Sequence, residues 1–299
     1  MGRLLLAALL LAVVWLPACG ADKPGAGSPT SSASEGPTLA PLAQEQLYEV
    51  DTVVVDAADG PMACLGMMRL GTSSGVVLSP TPQCGTVRIS NWDWDAVEGE
   101  KSIEGTSWGA YHVVGTYEGG VFRVTEIGPF ETVIEPEPFL YENPCPAPGG
   151  GWVVPDPEQN TQEETRDAHA YAKAQPDYVI SWNDHLDKEL QEFSPVVLVA
   201  AFTGEAERHE AEIRELWEGP LCVVERNVPT ARELAETRRE IEARLPELGL
   251  ELLGSTTGGL PPTISIDVVI DPGGAGQAAL DERYGPGMVR LFPALRPVE

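Results

Sequence analysis

Apolar and polar residues alternate along several short segments of residues 46–140, a pattern that predicts strands rather than helices. The segment 48–56 is rich in Val, and the segment 86–94 alternates over most of its length. The clearest unit is 110–128, in which two alternating runs flank a Glu-Gly-Gly turn typical of a hairpin. Short strands separated by Gly and Pro predict a small all-β barrel or sandwich here.

The second half of the chain, residues 166–299, alternates between helix-like and strand-like periods. Residues 194–202 form a continuous apolar run, as a buried strand does, and Thr203 is expected to cap the helix that follows. Thr230 and Glu233 form a capping box that opens a longer helix. The predicted order is helix, two strands, helix, strand and helix, then strand, helix and strand. We therefore expect an α+β fold with one small, ferredoxin-like sheet and helices on one face.

The N-terminus has the layout of an export signal. A short positive start at residues 1–3 precedes an apolar run over residues 4–18. This run is shorter than the roughly 20 residues that a membrane span needs. The segment 16–19 resembles the lipobox of bacterial lipoproteins, in which the final residue, here Cys19, receives lipid. Pro17 departs from that pattern, and an ordinary signal peptide cut at the same place is the alternative.

These patterns divide the chain into five parts. Residues 1–18 are expected to be the signal peptide, and residues 19–45, rich in Gly, Pro and Ser, a lipidated Cys with a flexible tether. Residues 46–140 form the all-β domain, residues 141–165 a Pro-rich and acidic linker, and residues 166–299 the α+β domain. This layout predicts a body held to the outer face of the cell membrane.

Charge is the largest deviation in composition. The chain has 19 Lys and Arg against 46 Asp and Glu, a net charge of −27. Nucleic acid is excluded as a partner, because binding phosphates requires clustered basic side chains. Anionic headgroups would also repel the body, so attachment to the bilayer is assigned to lipid on Cys19. The apolar fraction of 42% is that of a globular protein.

The cysteine count indicates disulfides. The chain has five Cys. Once Cys19 is lipidated, four remain, which suggests two disulfides in an exported protein. Among three connectivities we favour Cys64–Cys84 and Cys145–Cys222. Zinc binding is disfavoured because no C-x-x-C spacing occurs.

Two sequence motifs resemble catalytic signatures without completing them. Ser73 lies in a G-x-S-x-G pattern, but the residues after it are strand-like, whereas a nucleophile elbow needs a helix there. His209 begins an HExxH pattern whose second His is Ile213, so a packed histidine is favoured over a zinc ligand. The other three histidines are scattered along the chain without a partner at ligand spacing, and one of them acting as a general base is the less favoured alternative: His112, His169 and His185.

Acidic and aromatic residues cluster between positions 92 and 108. The acids are interpreted as a solvated loop rather than a calcium site: Asp93, Asp95, Glu98 and Glu100. Three tryptophans are candidate contacts for a sugar or a protein partner, with core packing as the favoured alternative: Trp92, Trp94 and Trp108.

Three resemblances to known proteins add expectations. The hairpin at 110–128 is similar to the early strands of an OB-type barrel. The runs PDYVISW, VVLVAAFTG, ISIDVVID and MVRLF, within residues 174–292, resemble lobes of α-lytic-protease-type prodomains, which template a protease and carry no catalytic residues. The layout from signal to body resembles the uncharacterised lipoproteins of actinobacteria.

We therefore predict a lipid-anchored envelope protein that acts by binding an envelope protein or a small ligand, without cofactor, metal or catalytic residues. One alternative is an exported hydrolase using Ser73 or an acidic pair. The other is a chaperone or inhibitor of an exported protease.

Overall fold

The computed structural model describes residues 46–65, 87–130, 142–155, 163–186 and 195–298. Contacts group Glu45–Glu299 into one compact unit. The described part of the chain forms three sheets and four α-helices, so the α+β class is confirmed. No helix in the described ranges is long and apolar enough to cross a membrane.

The first sheet contains seven strands. They are β1 (Leu47–Ala57), β2 (Gly60–Ala63), β3 (Val87–Ile89), β4 (Lys101–Ile103), β5 (Thr106–Glu118), β6 (Val121–Pro129) and β13 (Arg296–Pro297). Because β1 pairs with both β2 and β5, the strands β1, β2, β3, β6 and β5 close into a ring. The β3–β6 pairing is parallel and the others in the ring are antiparallel. The ring is a small closed barrel, one of the two all-β architectures that we expected, but the hairpin at 110–128 supplies its last two strands in chain order and not its early ones.

The interior of this barrel is built by the alternation seen in the sequence. Inward residues such as Val54, Val113 and Phe122 are fully buried, while their neighbours along each strand are more exposed. Val269 and Leu295, from near the end of the chain, belong to the same apolar cluster. Residues far apart in sequence therefore complete one core.

The rest of the chain repeats one arrangement twice, which we call the first and second modules. The first module consists of α1 (Arg166–Ala174), β7 (Tyr178–His185), β8 (Val196–Phe202), α2 (Ala206–Arg214) and β9 (Leu221–Glu225). The second consists of α3 (Ala231–Arg244), β10 (Leu252–Gly258), β11 (Thr263–Val268), α4 (Ala275–Tyr284) and β12 (Val289–Pro293). In each, the first strand pairs antiparallel with the second and the second parallel with the third. Two three-stranded sheets thus replace the single sheet that we expected.

Local details differ from the sequence prediction in two places. The predicted strand 86–94 ends at Ile89, and a short 3-10 turn follows at Trp94–Ala96. The residue at the N-cap position of helix α2 is Glu205 and not Thr203; its backbone is left-handed, with a φ of 53°, and its side chain forms no capping hydrogen bond. The capping box at the start of α3 is confirmed.

The disulfide between Cys145 and Cys222 is confirmed, with 5.9 Å between the two Cα atoms. Cys64 is also disulfide-bonded. Its favoured partner, Cys84, lies outside the described residues, as do Cys19 and Ser73.

Candidate functional site

Helix α1 packs on the first-module sheet through its small residues. Ala168 and Ala172 are buried in the cluster that contains Phe202 of β8. Because the helix repeats every 3.6 residues, Arg166, His169 and Lys173 share another face, which turns toward β7. Packing of two alanines therefore presents one imidazole and two cations to the neighbouring strand.

Strand β7 meets this helix face with polar side chains. Ser181, Asn183 and His185 occupy alternate positions, so they project from the same side of the strand. The ladder with β8 is irregular between Tyr178 and Ile180. Such an irregularity changes the direction of side chains, and it lets the hydroxyl groups of Tyr178 and Ser181 approach within 3.1 Å.

A cavity of about 540 Å³ lies between α1 and β7. It is lined by Arg166, His169, Ala170, Lys173, Ser181, Trp182, Asn183 and His185. None of these residues is acidic, although the chain as a whole has a net charge of −27. Two of the chain's 4 histidines lie here. We call this cavity the α1–β7 pocket, and its lining favours negative charge.

Hydrogen bonds connect four polar residues at the pocket into one network. The Oγ of Ser181 lies 2.8 Å from Nδ1 of His169, and Nε2 of His169 lies 3.1 Å from Oδ1 of Asn183. The Nδ2 of Asn183 donates to Oγ1 of Thr165 at 2.9 Å. Both contacts of His169 join a donor to an acceptor when Nε2 carries the proton and donates to Asn183, and Nδ1 accepts from Ser181.

Burial lowers the pKa of His169 below its ordinary value of 6.5. The hydrogen bond to Asn183 raises that pKa in part, and the charge of Lys173 lowers it again. His169 is therefore neutral at pH 7 and presents a lone pair to Ser181. Across the pocket, Nδ1 of His185 is buried and has no hydrogen-bond partner among the described residues.

The second module has a counterpart of this arrangement with different chemistry. When the two sheets are aligned by their strand pairing, Ser255 of β10 is equivalent to Ser181 of β7. The hydroxyl of Ser255 donates to Glu242 of α3, the first helix of the second module. At the corresponding position of the first module, Ser181 lies beside His169 of α1. Arg238 forms an ion pair with Glu242 at 3.4 Å. At the equivalent place in the second module, the serine therefore contacts a carboxylate that is paired with an arginine, instead of a histidine.

His209 forms a separate cluster in the first module. It is fully buried and stacks on Phe202, with 3.8 Å between the ring centroids. Its Nδ1 lies 3.0 Å from the hydroxyl of Tyr171, and its Nε2 lies 3.0 Å from Oδ2 of Asp177. The predicted packed histidine is therefore confirmed.

The same cluster has the donor atoms of a metal site. Single ligand atoms of Asp177, Glu205 and His209 lie within 4.8 Å of one another. However, the guanidinium of Arg208 donates to Glu205 at 2.9 Å and lies 3.2 Å from Nε2 of His209. A positive group already occupies the position of a cation, so we assign these residues to an ion-pair network.

The tryptophans singled out in the sequence do not all come together. Trp92 and Trp94 pack edge to face with 5.4 Å between their centroids, and both lie against Tyr111. The Nε1 of Trp94 donates to Asp56 at 2.9 Å. Trp108 and Tyr111 are three residues apart on β5, so their side chains lie on opposite faces of the strand. A ligand role for these three residues stays a prediction.

The α1–β7 pocket was not predicted from the sequence. His169 and His185 looked scattered, and Ser181 and Asn183 carried no motif. The available signal was the alternation Ser-x-Asn-x-His at the end of a strand beside a helix that contains His169. No protein-family model, curated protein or solved structure matches this chain, so the pocket itself carries the functional argument.

Proposed function

We propose that the protein is an envelope binding protein, attached to the outer face of the cell membrane by lipid on Cys19, whose α1–β7 pocket binds a small anion. The observation that carries this proposal is the composition of the pocket. Its lining, among the residues that the structure describes, has two cations and two histidines and no acid, in a chain that has 46 acidic residues. Phosphate and carboxylate groups are the anions that such side chains bind by charge-assisted hydrogen bonds.

The guanidinium of Arg166 is available to such an anion. Within the described ranges Arg166 forms one ion pair, with its neighbour Asp167 at 3.5 Å, and both side chains are 75% exposed. An exposed pair of this kind contributes about 0–1 kcal/mol, so the guanidinium can turn to a ligand at little cost.

The location rests on three features of the chain. The apolar N-terminal run, the lipobox-like segment ending at Cys19, and the tether at residues 19–45 are together typical of a lipoprotein. The Cys145–Cys222 disulfide supports an oxidising compartment, where such bonds persist.

Isothermal titration calorimetry of the full chain in detergent tests the pocket, with citrate and inorganic phosphate as probes. We expect Lys173→Gln to weaken binding about tenfold or more, since a charged hydrogen bond contributes roughly 1.5–3 kcal/mol. Lys101→Gln, at an exposed position on β4, is the matched control and should bind as the wild type does. Equal affinity of the Lys173→Gln variant and the wild type, or no binding of either probe, would contradict the proposal.

A further inference from the structure

Three residues of the α1–β7 pocket are connected in the order serine, histidine and orienting residue, as in a hydrolytic triad, with the two ring nitrogens of the histidine exchanged relative to the serine-protease arrangement. The Oγ of Ser181 is 2.8 Å from Nδ1 of His169, within the range of a nucleophile and its general base. On the other side of the ring, Nε2 lies 3.1 Å from the side-chain oxygen of Asn183, which orients the imidazole. Such sets are identified by geometry and role rather than by position in the sequence.

The hydrogen-bond directions suit the reaction. The amide nitrogen of Asn183 donates to Thr165 at 2.9 Å, so the amide oxygen is the atom that faces His169. Nε2 of His169 then carries the proton, and Nδ1 is left to accept the proton of Ser181. The lowered pKa of His169 keeps this nitrogen unprotonated at pH 7.

The pair is also accessible and has positive charge beside it. Ser181 and His169 both line the 540 Å³ cavity, together with Arg166 and Lys173. A cation near the nucleophile stabilises the oxyanion that forms when a carbonyl group is attacked. It also favours a substrate that carries a negative charge of its own.

We propose that the pocket hydrolyses small carboxylic esters that bear an anionic group, with Ser181 as the nucleophile and His169 as the general base. Asn183 is a positioning residue. The choice of an anionic substrate rests on the anion-binding function proposed above, whereas the reactivity of Ser181 does not.

The reaction proceeds in two balanced steps. Ser181 Oγ bonds to the acyl carbon while His169 takes the hydroxyl proton. The ester C–O bond then breaks, and the alcohol leaves with the proton from His169. In the second step water attacks the acyl-serine and His169 takes a proton from the water. The acid is released when that proton passes to Oγ of Ser181, which restores the starting state.

The second module supplies a matched control. Ser255 occupies the equivalent strand row but donates to Glu242, whose carboxylate is paired with Arg238. A paired carboxylate is a poor base for a serine hydroxyl at pH 7. Ser255 should therefore be unreactive.

The first test is labelling of the full chain with a fluorophosphonate probe, followed by mass spectrometry of the labelled peptide. The second is turnover of 4-nitrophenyl hydrogen succinate, an ester with a free carboxylate. We expect label on Ser181, loss of label and at least a hundredfold loss of turnover in Ser181→Ala, and unchanged values in Ser255→Ala. Circular dichroism of each variant verifies folding.

Label on Ser73 or another serine, or turnover that survives in a folded Ser181→Ala variant, would overturn the proposal. Absence of both label and turnover in the wild type would overturn it as well. Calorimetry with citrate separates the two proposals, because binding without reaction would leave the anion-binding function intact. Reaction with the uncharged ester 4-nitrophenyl acetate at the same efficiency would support Ser181 but contradict the anionic substrate class.

Discussion

At the scale of single residues, the state of His169 decides what the α1–β7 pocket can do. Its ring is held between Ser181 and Asn183, and its lowered pKa leaves it neutral at pH 7. In Asn183→Asp, a carboxylate would face Nε2 and stabilise the imidazolium. We expect the pKa of His169 to rise by about 1 unit or more, measured by NMR titration. An unmoved His169 pKa would contradict the assigned contact.

The lowered pKa of His169 also predicts how stability depends on pH. The unfolded chain binds a proton at His169 near the ordinary pKa of 6.5, whereas the folded protein binds it only at lower pH. The contribution of His169 is therefore present above pH 6.5 and is lost as pH falls toward the folded-state pKa. Urea denaturation at pH 7 and pH 5 should show a smaller fall in unfolding free energy for His169→Gln than for wild type. An equal or larger fall in the variant would contradict this linkage.

At the scale of elements, one glycine allows β5 and β6 to pair closely. A Cβ on Gly115 would lie 2.1 Å from the backbone oxygen of Arg123, at the point where the ladder shifts register. Because backbone atoms cannot move aside easily, we expect Gly115→Ala to lower the free energy of unfolding by about 1–3 kcal/mol. Gly128→Ala in β6 is the matched control, since its Cβ would meet the nearest atom, in His112, at 3.8 Å. Urea denaturation measures both, and equal stabilities would refute this view of the hairpin.

The elements that were predicted correctly have strong local signals. The β5–β6 hairpin alternates clearly on both sides of Gly119 and Gly120, and α3 opens with its capping box. Strand β10 was missed because the segment LLGSTTG has little apolar alternation, and its pairing with β11 defines it instead. This omission removed the repeat from the predicted order, so two modules looked like one domain.

The α1–β7 pocket was beyond prediction for a similar reason. Its residues come from a helix and a strand, and neither segment alone carries a motif. They meet because Ala168 and Ala172 pack α1 on the sheet and because Ser181, which pairs with Ala200, lies on the sheet face that α1 covers. These are tertiary effects, which hydrophobic periodicity does not encode.

At the scale of the whole molecule, the Cys145–Cys222 disulfide joins the segment 142–155 to the first-module sheet. Cys145 and Trp152 pack on the face of β8 and β9 opposite the helices. Replacing both cysteines by Ser should lower the free energy of unfolding by about 2–5 kcal/mol, because the bond closes a long loop. Urea denaturation of the double variant checks this, and a change below about 1 kcal/mol would contradict a structural role for the bond.

The proposed anchor makes a prediction for the complete chain in cells. Cys19→Ser should abolish incorporation of labelled palmitate and move the protein from the membrane fraction to the soluble exported fraction. Cell fractionation with immunoblotting measures this. Membrane association that persists in Cys19→Ser without labelled lipid would contradict the assignment of the anchor.

Anion binding in the α1–β7 pocket can be followed through the histidines of the chain. Of its 4 histidines, His169 and His185 line the pocket, whereas His112 and His209 lie elsewhere. NMR titration of the four imidazole resonances with citrate at constant pH and ionic strength is therefore the most direct measurement. We expect saturable shifts of the His169 and His185 resonances and no shift of the His112 and His209 resonances. Shifts confined to His112 or His209, or no saturable shift at all, would contradict anion binding in this pocket.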